Sequence, residues 1–573
     1  MLRCTTVADL DGRASLGPPA PWAGCETAPY NHTCLVMATD QCPTPAAMTS
    51  ALETPVASPL EQPPPHPLPD APQQEKGSLC ASGGFLCRVV VLCAMSSVLS
   101  GYDQGVIAGA MLTLAQDLSL SSVEQEVCIG ILNLAAALGG VATGMIADAK
   151  GRRWTITLAN MAFLLGSILL AAANGFPMLM AGRVLMGLGV GIALVIAPVF
   201  TAELAPPSLR GSLVALADLA TNLGILMGYG AGLAFYGVEC GWRWMFGLGT
   251  IPAVMLAVLI WTVPESVRWL VMQGRDAEAA DVLRRVGRGG DPSVDLAAIK
   301  TTMQSTGGGA PWKDLFCPRD RPTAKMLIAG LGVAFFSQAC GTEAVTYYVP
   351  HVMESVGLDT YEALVATMAA GGCKVVFLLA ASLLFDKVGR KPMLIISALG
   401  LALSFSLIAA SYLFDEPSLS IGGVCGVMGS FSLGFSPLVY IVGTEVFPNA
   451  LRAKAMAFAL FLTRMLAGMI SISFITLNET LGPIVLWSGF GVVSVAAATF
   501  VCCFVPETKG LALEHVRQLF ESSPSRAPHR PLIRNHLALL ATHGGVRSDQ
   551  PQCEISVATP VATASRVVDS MCV

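Results

Sequence analysis

The sequence predicts an all-α membrane protein with twelve transmembrane helices in two pseudo-symmetric six-helix bundles. Three observations predict it. Mean hydropathy is +0.63, with 53% hydrophobic and only 13% charged residues; soluble domains carry about 25% charge. Twelve apolar runs approach the roughly 20 residues that cross a bilayer. Three charged motifs then recur in the second half of the chain, in the same order.

Residues 1–82 form no part of either bundle. Eight prolines crowd 54–72 and no apolar signal core precedes them, so a disordered cytosolic tail is expected. The first bundle, 83–263, holds spans 84–111, 126–147, 154–174, 178–202, 211–235 and 243–263. A charged linker, 264–324, contains a helical stretch at 275–286. The second bundle, 325–506, holds spans 325–349, 361–385, 392–413, 420–444, 453–476 and 483–505. Residues 507–573 read as a polar cytosolic tail. Loops after odd-numbered spans lack Lys and Arg, whereas loops after even-numbered spans are rich in them. The positive-inside rule therefore puts both termini in the cytosol.

Asp148 opens DAKGRR and Asp386 opens DKVGRK. Glu203 precedes Arg210 by seven residues, as Glu445 precedes Arg452. PES starts at Pro264 and PET at Pro506. Such duplication suits alternating access, in which two repeats rock around a central site. The expected cytosolic gate is a breakable set of ion pairs: Asp148 with Arg152, Asp386 with Arg390, Glu203 with Arg210 and Glu445 with Arg452. Exposed pairs of this kind are individually weak, about 0–1 kcal/mol.

The stretches GMIADAKGRRW (144–154), AGRVLMGLGVGIALVIAPVFTAELAPPSLRG (181–211), PESVRWLVMQGR (264–275), DKVGRKP (386–392), EVFPNALRAKAMA (445–457) and PETKG (506–510) carry a resemblance. On these residues the chain resembles the sugar porter family of the major facilitator superfamily. The resemblance covers about 84–515 and implies a multi-pass transporter. It implies no enzyme, no cofactor and no nucleic-acid partner. The implied membrane is the plasma membrane or an organelle membrane, and the functional unit is expected to be a monomer. No nucleotide loop, catalytic triad or metal-ligand spacing is present in the sequence.

Six charges lie inside spans: Asp103, Arg183, Asp218, Glu343, Lys374 and Arg464. A charge at bilayer depth is costly and usually pairs or lines a pathway. Asp103 and Arg183 are the first expected pair. The resemblance implies a proton-coupling role for them, because GYD in span 1 and GR in span 4 match the couple of proton-coupled sugar porters. Glu126, by contrast, reads as an ordinary span-end residue.

The resemblance also suggests a substrate site. Sugar porters place amides and a Trp at positions held here by Asp218, Ser337–Gln338, Glu343, Lys374 and Tyr440. An acid in span 5, GxEAV in span 7, a Lys in span 8 and an Arg in span 11 are similar to the plant polyol/monosaccharide proton symporters. Tyr440 replaces their usual Trp. The implied substrate-binding residues are Asp218, Gln338, Glu343, Tyr347, Lys374, Tyr440, Thr463 and Arg464, with Phe336 and Tyr348 as further stacking aromatics. The expected function is proton-coupled symport of a polyol or monosaccharide. An uncoupled facilitator, a myo-inositol symporter and a sugar sensor of the same fold are the alternatives.

Overall fold

The computed structural model describes residues 83–204, 210–286, 292–306, 311–511 and 513–521. The N-terminal tail and the residues beyond 521 lie outside them, as do the side chains of Arg210 and Asp386. The first half of the bundle comprises α1 (Gly83–Asp117), α2 (Ser122–Lys150), α3 (Arg152–Ala171), α4 (Phe176–Leu204), α5 (Arg210–Ala234), α6 (Gly241–Leu248) and α7 (Thr250–Leu259). Four short helices follow: α8 (Val267–Met272), α9 (Asp276–Val286), α10 (Pro292–Thr306) and α11 (Lys313–Phe316). The second half comprises α12 (Arg321–Ala339), α13 (Thr342–Ser355), α14 (Thr360–Val388), α15 (Arg390–Phe414), α16 (Pro417–Leu433), α17 (Phe435–Val446), α18 (Arg452–Leu481) and α19 (Pro483–Phe504). A last helix, α20 (Leu513–Glu521), closes the described chain.

Eleven helical stretches among the described residues are long and apolar enough to cross a membrane. The remaining expected span, 211–235, coincides with α5. That helix is 25 residues long and on average as apolar as α1, α2 and α3, and the side chains of its first residues lie outside those described. The outer surface is apolar, as lipid contact requires: Met145, Trp261 and Leu383 are each more than 70% exposed.

Three spans expected to be continuous are broken; the first is span 6, which divides at Gly249 into α6 and α7. Span 7 divides at Cys340–Gly341 into α12 and α13, and span 10 divides at Gly434 into α16 and α17. Gly341 has φ +80°, and a Cβ there would lie 2.4 Å from the Phe490 ring, so only glycine fits. The break turns Gln338 and Glu343 toward the interior from consecutive half-helices. The C-terminal segment, expected to be tail, contains the amphipathic α20. It packs on α12 and α17, with Val516 and Phe520 buried.

Glycines also set how closely helices approach. A Cβ on Gly105 would sit 2.2 Å from the Ile225 carbonyl oxygen, and one on Gly224 would sit 2.3 Å from that of Val98. α1 and α5 therefore touch backbone to backbone, the small-residue packing that lipid-embedded helices favour.

Candidate functional site

Asp103 and Arg183 meet between α1 and α4. Arg183 Nη1 donates to Asp103 Oδ1 at 2.9 Å, and Arg183 Nε donates to the Cys128 carbonyl at 3.0 Å. Both side chains are fully buried. Asp103 Oδ2 and Arg183 Nη2 have no protein partner. A buried charge pair is stable only when its remaining groups are satisfied; here one donor and one acceptor are left over.

A second cluster lies between the halves. Arg464 on α18 pairs with Glu343 on α13 at 3.6 Å and donates to Asn133 Oδ1 on α2 at 3.2 Å. Asn133 donates in turn to the Tyr347 hydroxyl at 3.1 Å. Tyr229 on α5 donates to the Thr346 carbonyl at 2.7 Å, a further tie across the halves. Lys374 on α14 lies within electrostatic reach of Asp218 and Glu343, with its ammonium 6.0 Å from the Phe431 ring centre. Tyr440 stands within reach of Arg464, Asp218 and Glu343. It is 44% exposed although it lies in mid-helix.

The atoms left without partners there are mostly acceptors. Asp218 Oδ2, Asn222 Oδ1, Gln338 Oε1 and Glu343 Oε2 are buried acceptors, and Arg464 Nε is a buried donor. Buried polar atoms are normally satisfied. A ligand rich in hydroxyl groups supplies the donors this set lacks, and ionised acceptors hold hydroxyls about twice as strongly as neutral ones.

Three expected members stand apart from the cluster. The Thr463 hydroxyl donates to the Leu460 carbonyl of its own helix. Phe336 packs edge-on and tilted against Phe335 and Phe500, toward α19. Tyr348 donates to the Ser471 carbonyl and stacks on Phe474. The sequence reading missed Asn222, beside Asp218, and Asn133. For Asn133, a lone amide in the run CIGILNLAAALGG was the available signal.

At the end of the molecule that carries the basic loops, the repeated motifs form two like clusters, one per half. In the first, Arg152 pairs with Asp148 and Glu203, both at 3.1 Å. Ser266 donates to Glu203. Glu265 accepts from the backbone N–H groups of Arg152 at 2.9 Å and Arg153 at 3.1 Å. In the second, Arg390 pairs with Glu445 at 3.3 Å and Thr508 donates to Glu445. Glu507 accepts from the N–H groups of Arg390 and Lys391, both at 3.0 Å. The PES and PET motifs thus have one structural logic. Each Glu caps a helix N-terminus, where orphan N–H groups and the helix dipole favour an anion. The following Ser or Thr then holds the neighbouring Glu.

This arrangement corrects the expected pairing. Glu445 takes Arg390 rather than Arg452, and Glu203 takes Arg152. Arg452 folds back onto the turn before α18, donating to the Phe447 carbonyl at 3.2 Å and to Asn449 Oδ1 at 2.6 Å. The Asp386 and Arg210 side chains lie outside the described residues.

The sugar (and other) transporter family description matches residues 89–520, and the chain belongs to that family. "Probable polyol transporter 4" of Arabidopsis thaliana is 36% identical over 455 residues, covering 77% of this chain and 86% of that protein. "Polyol transporter 5" of the same plant is 34% identical over 464 residues, covering 76% and 86%. Among solved structures, the inward-open xylose transporter XylE from E. coli matches with a TM-score of 0.66 and 26% identity, covering 76% of this chain and 100% of that one. XylE described as a major facilitator superfamily proton:xylose symporter, bound to 6-bromo-6-deoxy-D-glucose, matches at 0.64 and 27%, covering 76% and 99%. The fold is that of the major facilitator superfamily, and the chain is a multi-pass membrane transporter, not an enzyme.

Proposed function

We propose that this chain carries a polyol or monosaccharide across a membrane together with a proton, by alternating access between two six-helix bundles, 83–263 and 325–506. The single observation that carries the coupling is the fully buried Asp103–Arg183 pair with one carboxylate oxygen unpartnered. An anion beside a guanidinium is favoured, and desolvation favours the neutral acid once the guanidinium withdraws. Asp103 can therefore hold a proton in one arrangement of α1 against α4 and release it in the other. Because α1 also packs on α13 of the second half, that change reaches the cluster around Glu343.

In this reading, Asp218, Gln338, Glu343, Tyr347, Lys374, Tyr440 and Arg464 bind the substrate's hydroxyls, and Asn133 holds Arg464 and Tyr347 in place. The polyol transporters among the relatives support an acyclic or cyclic polyol, and the acceptor-rich cluster suits either. The clusters around Arg152 and Arg390 serve as the cytosolic gate. Both termini lie in the cytosol, the membrane is the plasma membrane, and the working unit is the monomer.

The test is electrical. The protein is expressed in oocytes, and sorbitol, mannitol, myo-inositol, xylose and glucose are added at acid and near-neutral external pH. An inward current that grows at acid pH supports symport and ranks the substrates. Substrate flux without current or pH dependence contradicts it. That result favours the facilitator, in which the pair between Asp103 and Arg183 is permanent.

A further inference from the structure

Glu126 lies in the first turns of α2, at the end of the molecule opposite the basic loops. It is 2% exposed, unlike the ordinary span-end residue expected from the sequence. Its carboxylate reaches across the halves to one residue of α18. Oε1 accepts from the Thr476 backbone N–H at 2.7 Å, and Oε2 accepts from the Thr476 hydroxyl at 2.6 Å. Ser122 adds an exposed tie to Glu479 at 3.2 Å.

One face of α2 continues this contact inward. Glu126, Gly130 and Asn133 stand at i, i+4 and i+7, the spacing of neighbours on one helix face. A Cβ on Gly130 would lie 2.3 Å from Ile472 Cγ1 and 2.8 Å from the Gly468 carbonyl oxygen, so α2 and α18 are in contact there. Asn133 then meets Arg464. The seam runs from the surface to the candidate substrate site, with Glu126 near its outer end. A carboxylate held by an N–H and an O–H of the opposite half is a separable contact, because water can replace both donors once the halves part.

We propose that Glu126 and Thr476 form the extracellular gate: their contact keeps the outer side shut while the site faces the cytosol. The inference rests on the alternating-access reading above. Glu126 is a positioning residue, which acts on the equilibrium between states without touching substrate. Removing its carboxylate shifts the molecule toward the outward-open state, because two hydrogen bonds to a buried charged group are lost.

The test uses the full-length chain in lipid nanodiscs, with accessible native cysteines replaced by serine. Spin labels are placed at Val123 and Leu481, both exposed and flanking the seam on α2 and α18. Pulsed electron paramagnetic resonance then reads the distance between the outer ends, with and without sorbitol, at acid and near-neutral pH. The wild type should show a short and a long population. Glu126→Ala should raise the long-to-short ratio about tenfold. Thr476→Val, the milder change, should shift it in the same direction, and Thr476→Ser should restore the wild-type distribution. Unchanged distributions in both Glu126→Ala and Thr476→Val, in a protein whose wild type shows two populations, overturn the gate alone. A wild type with one distance under every condition overturns the alternating-access reading, and the gate with it.

Discussion

Arg464 on α18 donates to Asn133 Oδ1 on α2 at 3.2 Å, joining residues 331 positions apart across the two halves. Through Arg464 the amide is tied to Glu343, and through its own Nδ2 to Tyr347. Four side chains thus share one buried network at the junction of the two halves. Arg464→Ala should leave Glu343 buried without its ion-pair partner, with only the unbonded charge of Lys374 within reach. Breaking a buried pair from one side costs about 3–5 kcal/mol, so the melting temperature in detergent should fall clearly. The double change Glu343→Gln with Arg464→Gln should recover much of that stability while leaving uptake low. Equal melting temperatures for the single and double variants would contradict the pairing.

Asn133→Ala should lower uptake without unfolding the protein, because it frees both Arg464 and Tyr347 from their positions. The expected loss is about tenfold in substrate affinity, the scale of one hydrogen bond to a charged group. Uptake measured against substrate concentration should show the change in KM. An unaltered KM would show that Asn133 holds nothing the substrate needs.

Glu265 and Glu507 make the same cap in the two halves, each accepting from two backbone N–H groups. Glu265→Ala and Glu507→Ala should each cost about 1–2 kcal/mol, the range for losing a helix N-cap. Thermal unfolding followed by tryptophan fluorescence measures both. A cost in one half and none in the other would contradict their structural equivalence.

Gly341→Ala should disrupt the break between α12 and α13. The positive φ and the Phe490 ring both oppose a side chain, and strain of this kind costs of order 1–3 kcal/mol. Melting temperature and uptake should fall together. Pairing it with Phe490→Ala should relieve the steric part only. A fully tolerated alanine would show that the break does not depend on glycine.

Much of the fold was legible because bilayer length, loop charge and internal duplication are all linear signals. Asp103 and Arg183 were readable for the same reason: each is an isolated charge in an apolar run, and such charges need partners. What stayed hidden depends on three-dimensional neighbours. Glu126 looks like a span-end acid until α18 is seen beside it, and Asn133 is one amide in a hydrophobic stretch. The pairing of Glu203 with Arg152 could not be read from spacing, because a Glu and an Arg seven residues apart need not face each other across a helix end. The bond of the Thr463 hydroxyl to its own helix was equally hidden, because sequence does not show whether a hydroxyl is satisfied locally. The α20 helix was missed because nine amphipathic residues inside a polar tail resemble the tail.

The most direct test of the central claim compares wild type with Asp103→Asn in proteoliposomes, using a substrate identified by the oocyte panel. Accumulation driven by an inward proton gradient is measured beside equilibrium exchange of labelled for unlabelled substrate. Wild type should accumulate substrate more strongly as external pH falls. Asp103→Asn should lose accumulation and its pH dependence while retaining exchange, since the asparagine can still face Arg183 but carries no proton through the cycle. Gradient-driven accumulation that survives in Asp103→Asn would contradict the coupling role of Asp103.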